Sequence, residues 1–216
     1  YRTIAPPRPL RDVWRDEPRD RRFLYVHVPF CEMRCGFCNL FTVANPRGDI
    51  EQDYLDALER EAAALAEAAG PEAPAQLALG GGTPTYLLPG QLDRLFQILA
   101  THFADTGGPV AVETSPKTAT EDRLGVLRDH GVQRISIGIQ SFVEDETRAM
   151  GRPQQPRDVM EALDRIRATG FPSLNVDLIY GAEGQTPESW SRSIARAGGR
   201  FGTNTGWSFI AGAAMT

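Results

Sequence analysis

The stretch Phe23-Leu24-Tyr25-Val26-His27-Val28-Pro29-Phe30-Cys31-Glu32-Met33-Arg34-Cys35-Gly36-Phe37-Cys38 decides the reading of this chain. A short run of branched and aromatic residues, the composition of a strand, meets Pro29 and runs straight into three cysteines spaced C-x3-C-x2-C. These are the only cysteines in 216 residues. An odd, clustered set is a metal or redox site rather than a disulfide framework. Three thiolates on one tight loop suit three irons of a [4Fe–4S] cluster, which leaves the fourth iron open to a chelating cofactor. Structural zinc on the three cysteines plus His27 is the weaker alternative, because zinc clips usually pair C-x2-C with a distant second pair. His27 lies inside the strand pattern and reads as a hydrogen-bonded packing residue.

Outward from that stretch, short apolar runs alternate with helical periodicity. A helix capped by Asp49, with Gln52 three residues on, lines Tyr54, Leu58, Ala62, Leu65 and Ala69 along one face and stops at Gly70-Pro71. Strand Gln76–Leu79 precedes a glycine-rich turn and a helix with Leu92, Leu95, Phe96, Leu99 and Phe103 at helical spacing. Strand Val110–Glu113 follows, then a capping box of Thr118 and Glu121 over a helix burying Leu124 and Leu127. Strand Arg134–Ile139 leads to a helix from Pro156 to Gly170, and strand Leu174–Ile179 to a last helix opened by Thr186-Pro187. Five β-then-α units imply a parallel α/β sheet with right-handed crossovers, either a partial barrel or an open doubly wound sheet. The expected organisation is an extended Pro/Arg-rich leader over 1–22, a core domain over 23–197 and an atypical Gly-rich tail over 198–216. No sixth strand is expected in that tail.

Composition narrows the function. With 23 basic against 28 acidic side chains the net charge is −5, which disfavours broad capture of nucleic acid or anionic membrane. No apolar run approaches the ~20 residues that span a bilayer. A cytoplasmic domain carrying a metal site is the expectation. Gly80-Gly81-Gly82-Thr83-Pro84-Thr85 lacks the G-x-x-x-x-G-K-[ST] form, so a nucleoside triphosphate is not indicated. Three glycines do allow backbone to approach a small polar ligand. Glu113, Gln140, Arg152 and Asp177 fall at or after successive strands, where α/β folds gather their ligands.

The cysteine loop, Tyr25–Cys31, Gly80–Thr85, Arg134–Phe142 and Asn175–Gly181 together resemble the radical S-adenosylmethionine (SAM) superfamily. More narrowly they resemble the oxygen-independent coproporphyrinogen III oxidase family, which also contains haem chaperones. The resemblance runs from about Phe23 to Trp190. It implies a partial (β/α)6 barrel, a [4Fe–4S] cluster on Cys31, Cys35 and Cys38, and SAM as cofactor. It places Tyr25, Gly81 and Glu113 in one SAM-binding set, and Phe37, Gly82, Thr83, Gln140, Arg152 and Asp177 among contacts to SAM or a second SAM. The implied chemistry is reductive cleavage of SAM to methionine and a 5′-deoxyadenosyl radical, with a tetrapyrrole as substrate and a flavodoxin or ferredoxin as electron donor. Two local departures stand out. Cys38-Asn39-Leu40-Phe41 lacks the further cysteine of the oxidase subgroup, and Gly181-Ala182-Glu183-Gly184-Gln185-Thr186 replaces Gly-Leu-Pro-x-Gln-Thr. The sixth βα unit and the C-terminal domain that cover the substrate in the family are also expected to be missing. With the absent cysteine, this leads to the expectation that the chain does not complete the oxidase reaction; haem binding, or radical chemistry on another substrate, is the alternative.

Overall fold

The computed structural model describes residues 6–18, 21–104, 108–198 and, for the backbone alone, 205–211. In chain order its strands are β1 (Phe23–Val28), β2 (Phe30–Cys31), β3 (Val43–Ala44), β4 (Gln76–Gly81), β5 (Val110–Thr114), β6 (Arg134–Gln140), β7 (Ser173–Tyr180) and β8 (Thr205–Ala211). Helices α1 (Leu10–Val13), α2 (Ile50–Ala69), α3 (Pro89–His102), α4 (Glu121–Asp129), α5 (Glu144–Ala149), α6 (Pro156–Thr169) and α7 (Pro187–Gly198) lie among them. One sheet runs β1-β4-β5-β6-β7-β8, every neighbouring pair parallel. The order never reverses. Right-handed crossovers in a single direction put the connecting helices α2, α3, α4 and α6 in one layer, each packed on the next, which selects the partial barrel over the doubly wound sheet.

Alternation along the strands then separates core from site. Val26 and Val28, Leu77 and Leu79, Val112, Ile135, Ile137 and Ile139, and Val176 and Leu178 are buried with Leu55, Leu92, Leu95, Leu124, Leu127 and Leu163 of the helices. Their neighbours on the other strand face are His27, Gly80, Glu113, Ser136, Gly138 and Asp177. The register sets His27 opposite Gly80, Glu113 opposite Ser136, and Gly138 opposite Asp177. The oily core is therefore outside the barrel, and the inside is small and polar.

Several expectations are corrected. A sixth strand exists: β8 pairs with β7 from Leu174–Thr205 to Tyr180–Ala211. Gly206 and Ser208 break its apolar run, so the pattern hides a strand that the free edge of β7 accepts. The leader is not wholly extended, because Pro9 caps a single turn at Leu10–Val13, with Asp12 in its first turn paired to Arg15. Arg22 also donates to Ala69 O, docking the leader's end on α2; residues 1–5 and 19–20 lie outside the description. The Thr118–Glu121 capping box does not form. Thr120 is the N-cap of α4, and Thr118 Oγ1 sits 2.6 Å from Thr85 Oγ1 and 2.9 Å from Ser115 Oγ in a buried hydroxyl cluster. Asp49 caps α2 through its carbonyl, not its side chain. Helix α5 was not legible, being too short to show a period. Among the described residues, no helix is long and apolar enough to cross a membrane.

Candidate active site

The barrel mouth is built from what leaves each strand. After β1, Pro29 turns the chain into β2, whose pairing with β3 closes the cysteine loop: Asn45 N donates to Cys31 O and Val43 N to Pro29 O, both 2.8 Å. Cys31, Cys35 and Cys38 are free thiols, each partly buried. Cys31 Sγ lies 3.7 Å from Thr83 Oγ1, and Arg152 Nη1 donates to Cys35 Sγ at 3.2 Å. Burial pushes the Cys31 thiol above its ordinary value; the Thr83 contact opposes this, the other two cysteines add to it, and Arg152 opposes it.

The glycine turn after β4 crosses the exit of β1, with Gly82 N on Val28 O and Thr83 N on Phe30 O. A Cβ at Gly82 would meet the Pro29 and Phe30 backbone at 2.6–2.8 Å, and one at Gly81 (φ +108°) would meet the His27 ring at 2.6 Å. These glycines thus serve contact between the two loops, and the space beside Gly81 belongs to His27. His27 Nε2 in turn lies 2.9 Å from Phe41 O, and its Nδ1 faces Tyr25 Oη at 3.4 Å. That pairing fits the packing role read from sequence. Among the described residues, no three His, Cys, Asp or Glu side chains converge as a single-ion site.

Further round the mouth, Gly81 N donates to Glu113 Oε2 at 3.2 Å. Glu113 opens onto the barrel interior but is walled by strands on either side. Desolvation there pushes its carboxyl up from the ordinary value, the Gly81 N–H pulls it back, Asp177 pushes it up further and His27 lowers it. Asp177 accepts from Ser136 Oγ at 3.0 Å and Asn175 Nδ2 at 2.7 Å. Between them, β6 slips register at Gly138/Gln140, and Gln140 takes φ +69°. A bulge and a left-handed non-glycine residue at a mouth are marks of a functional site. Arg152 spans the gap, with Nη2 on Gly138 O at 2.8 Å.

One cavity of about 500 Å³ unites these parts. Cys31, Cys35, Cys38, Phe37, Gly81, Gly82, Thr83, Glu113, Gln140, Arg152 and Asp177 all line it. Tyr25 does not: it lies on the edge strand, 48% exposed, with His27 between it and the mouth. Thr42, Thr114, Ser115, Ser136 and Gln154 also line the cavity and were missed. Ser136 was findable as the inward neighbour of Gly138, and Thr114 as the last residue of β5; Thr42, Ser115 and Gln154 sit on loops without period. Three buried polar atoms of the wall have no protein partner: Thr42 Oγ1, Gln140 Oε1 and Arg152 Nε. Such atoms need a polar occupant. Three soft thiols and orphaned polar groups in the wall of one cavity fit a [4Fe–4S] cluster with a polar cofactor beside it.

Comparison with known proteins agrees. A family model described as the Radical SAM superfamily matches residues 25–197. The oxygen-independent coproporphyrinogen III oxidase of Salmonella typhimurium is 38% identical over 174 residues, covering 80% of this chain and 38% of that protein. The heme chaperone HemW of Bacillus subtilis is 33% identical over 177 residues, 80% of this chain and 46% of that protein. In solved structures, coproporphyrinogen III oxidase (HemN) from Escherichia coli, a radical SAM enzyme, superposes with a TM-score of 0.82 at 34% identity, over 93% of this chain and 46% of that one. The chain spans less than half the length of each of these relatives.

Proposed function

The chain belongs to the radical SAM superfamily, and from that premise we propose that it holds a [4Fe–4S] cluster on Cys31, Cys35 and Cys38 and binds SAM beside it. The observation that carries this is the single cavity whose wall joins the three thiols to Gly81, Glu113, Gln140, Arg152 and Asp177. Its volume of about 500 Å³ lies within the ~300–1,000 Å³ of small-molecule sites.

When bound, the cluster supplies the electron that cleaves the sulfonium of SAM. The protein's part is orientation, charge and exclusion of water. Arg152 sets a permanent cation on Cys35 and so offsets thiolate charge. Its Nε and the Gln140 carbonyl are left to meet the donors and acceptors of SAM. Glu113 and Asp177 set carboxylates on the same wall, facing the ammonium and ribose groups that such a cofactor carries. The helix-facing leucines and isoleucines keep that wall rigid.

The substrate class we assign is a tetrapyrrole, on the likeness to the oxidase, with a flavodoxin- or ferredoxin-type protein as electron donor. Free thiols suit a reducing compartment, the cytoplasm. A second reading, haem binding without oxidase chemistry, is favoured by one observation: no fourth cysteine follows Cys38.

Anaerobic reconstitution tests the proposal. Iron and sulfide near four per chain, and methionine with 5′-deoxyadenosine released from SAM under reductant, are expected. Both should be lost in Cys35→Ala; full iron retention and an unchanged cluster spectrum in that variant overturn the assignment. Haem titration of the same preparation separates the second reading from the first.

A further inference from the structure

Outside the cavity lies a buried acid that the proposed chemistry does not use. Glu146, on α5, is 4% exposed. Its Oε2 accepts from Ser141 Oγ at 2.5 Å and Gln185 Nε2 at 3.2 Å, and its Oε1 accepts from Ser189 Oγ. The three donors come from the exit of β6, the loop after β7, and α7. A carboxylate buried this deeply carries a large desolvation cost that an apolar residue of equal size avoids, so its hydrogen bonds are better explained by positioning than by stability.

What it positions is visible in the neighbouring bonds. Ser141 follows Gln140, the left-handed residue of the mouth, and Ser141 Oγ also accepts from Val143 N at 3.0 Å. Gln154 Nε2 bridges the carbonyls on either side of Gln140, reaching Ile139 O at 2.6 Å and Ser141 O at 3.2 Å. Gln185, held on Glu146, accepts from Gly181 N at 2.7 Å and donates to Ile179 O at 3.1 Å, which fixes the exit of β7. The far end of α5 reaches the cysteine loop: Gly36 N donates to Met150 O at 3.1 Å, and Arg152 N to Thr147 O at 2.8 Å.

We infer that Glu146 is a positioning residue for the cofactor site: its carboxylate ties the exits of β6 and β7 to α7, and so holds the strained Gln140 with its carboxamide in the cavity. The inference rests on the reading of that cavity as a SAM site. It states that the buried acid acts on SAM through Gln140, and that its loss is felt there while the thiols keep their iron.

The experiment is a double-mutant cycle between Glu146→Ala and Gln140→Gly. Apo-protein melting, iron after reconstitution, SAM affinity by anaerobic calorimetry and the SAM-induced change in the paramagnetic spectrum of the reduced cluster are read for each. Glu146→Ala alone should keep its iron, weaken SAM at least fivefold and diminish the spectral change. In the Gln140→Gly background the same substitution should alter SAM affinity less than twofold. Leu163→Ala, a core change in α6, controls for instability and should leave SAM affinity within twofold. Should Glu146→Ala fail to fold, Ser189→Ala removes one donor to the same carboxylate and should weaken SAM in the same direction. Unchanged SAM affinity in the acid variant, an equal loss in both backgrounds, or an equal loss in Leu163→Ala overturns the inference. Absence of any SAM-induced change in the wild type overturns the reading of the cavity instead.

Discussion

Two strand exits of the barrel use a positive φ in opposite ways. At β4, Gly81 has φ +108° and no side chain, and the turn lies directly on the His27 ring and the Pro29–Phe30 backbone. At β6, Gln140 has φ +69° and a full carboxamide, whose oxygen is buried against the cavity without a protein partner. Where the turn must lie against the His27 ring, the left-handed conformation adds little steric strain because glycine takes it. Where a side chain must enter the cavity from the same kind of turn, the chain accepts strain and braces it with Gln154 and Ser141. A glycine marks a close approach; a strained non-glycine marks something the site needs.

The largest effect should come from Gly82→Ala. Its new Cβ would stand within 2.8 Å of three backbone atoms of Pro29 and Phe30 that cannot rotate away. A loss of about 3 kcal/mol or more is expected, of the order of severe overpacking, read as a drop in the denaturant midpoint of the apo-protein. A midpoint within error of wild type would show that the two loops are not in contact.

Gly81→Ala should cost less, about 1–2 kcal/mol, because one obstacle is a side-chain ring and the other is φ +108°. Adding His27→Ala should recover the ring's share and leave the backbone share. Strict additivity of the two substitutions would remove His27 from the account.

The contrasting exit predicts a gain. Gln140→Gly releases a left-handed residue and should raise apo-protein stability by up to about 1 kcal/mol, net of the extra chain entropy of glycine. The same variant should bind SAM roughly tenfold more weakly, the scale of one lost hydrogen bond to a charged group. Stability and affinity moving together would contradict the assignment of strain to function.

The smallest effect is a pH slope. Glu113 has a folded-state pKa raised above its ordinary 4.5, chiefly by desolvation. The folded protein therefore binds that proton more tightly than the unfolded chain. The associated stability is present below about 4.5 and is lost as pH rises through the folded value. Glu113→Gln should flatten this decline, seen by chemical denaturation of the apo-protein at a series of pH values. An identical slope in the two proteins would show that the open barrel interior, to which Glu113 is exposed, does not desolvate its carboxyl.

Much of this was legible beforehand, for physical reasons that can be named. Ile135, Ile137 and Ile139 alternate with Ser136 and Gly138 because one strand face meets helices and the other meets the cavity. Helix α6 announces itself through Pro156, Val159, Leu163 and Ile166, with Gly170 closing it in the left-handed conformation. By contrast, β8 was invisible because its pattern is broken by small residues and its stability comes from pairing with β7. Thr118 was misread as a cap, since a threonine before a glutamate looks the same whether its hydroxyl serves a helix end or a buried hydroxyl cluster.

By itself, the sequence determined the parallel βα order, the thiol loop after β1 and the polar residues at successive strand ends, because periodicity and ligand spacing are local properties of a chain. Only the tertiary structure decided that Tyr25 stays off the cavity, that Gly81 is reserved by His27, that Arg152 returns to Cys35, and that Glu146 stands behind Gln140. Those facts depend on which strands become neighbours and which side chains then compete for the same space. Such competition is settled by packing between residues far apart in the chain, and no local pattern records it.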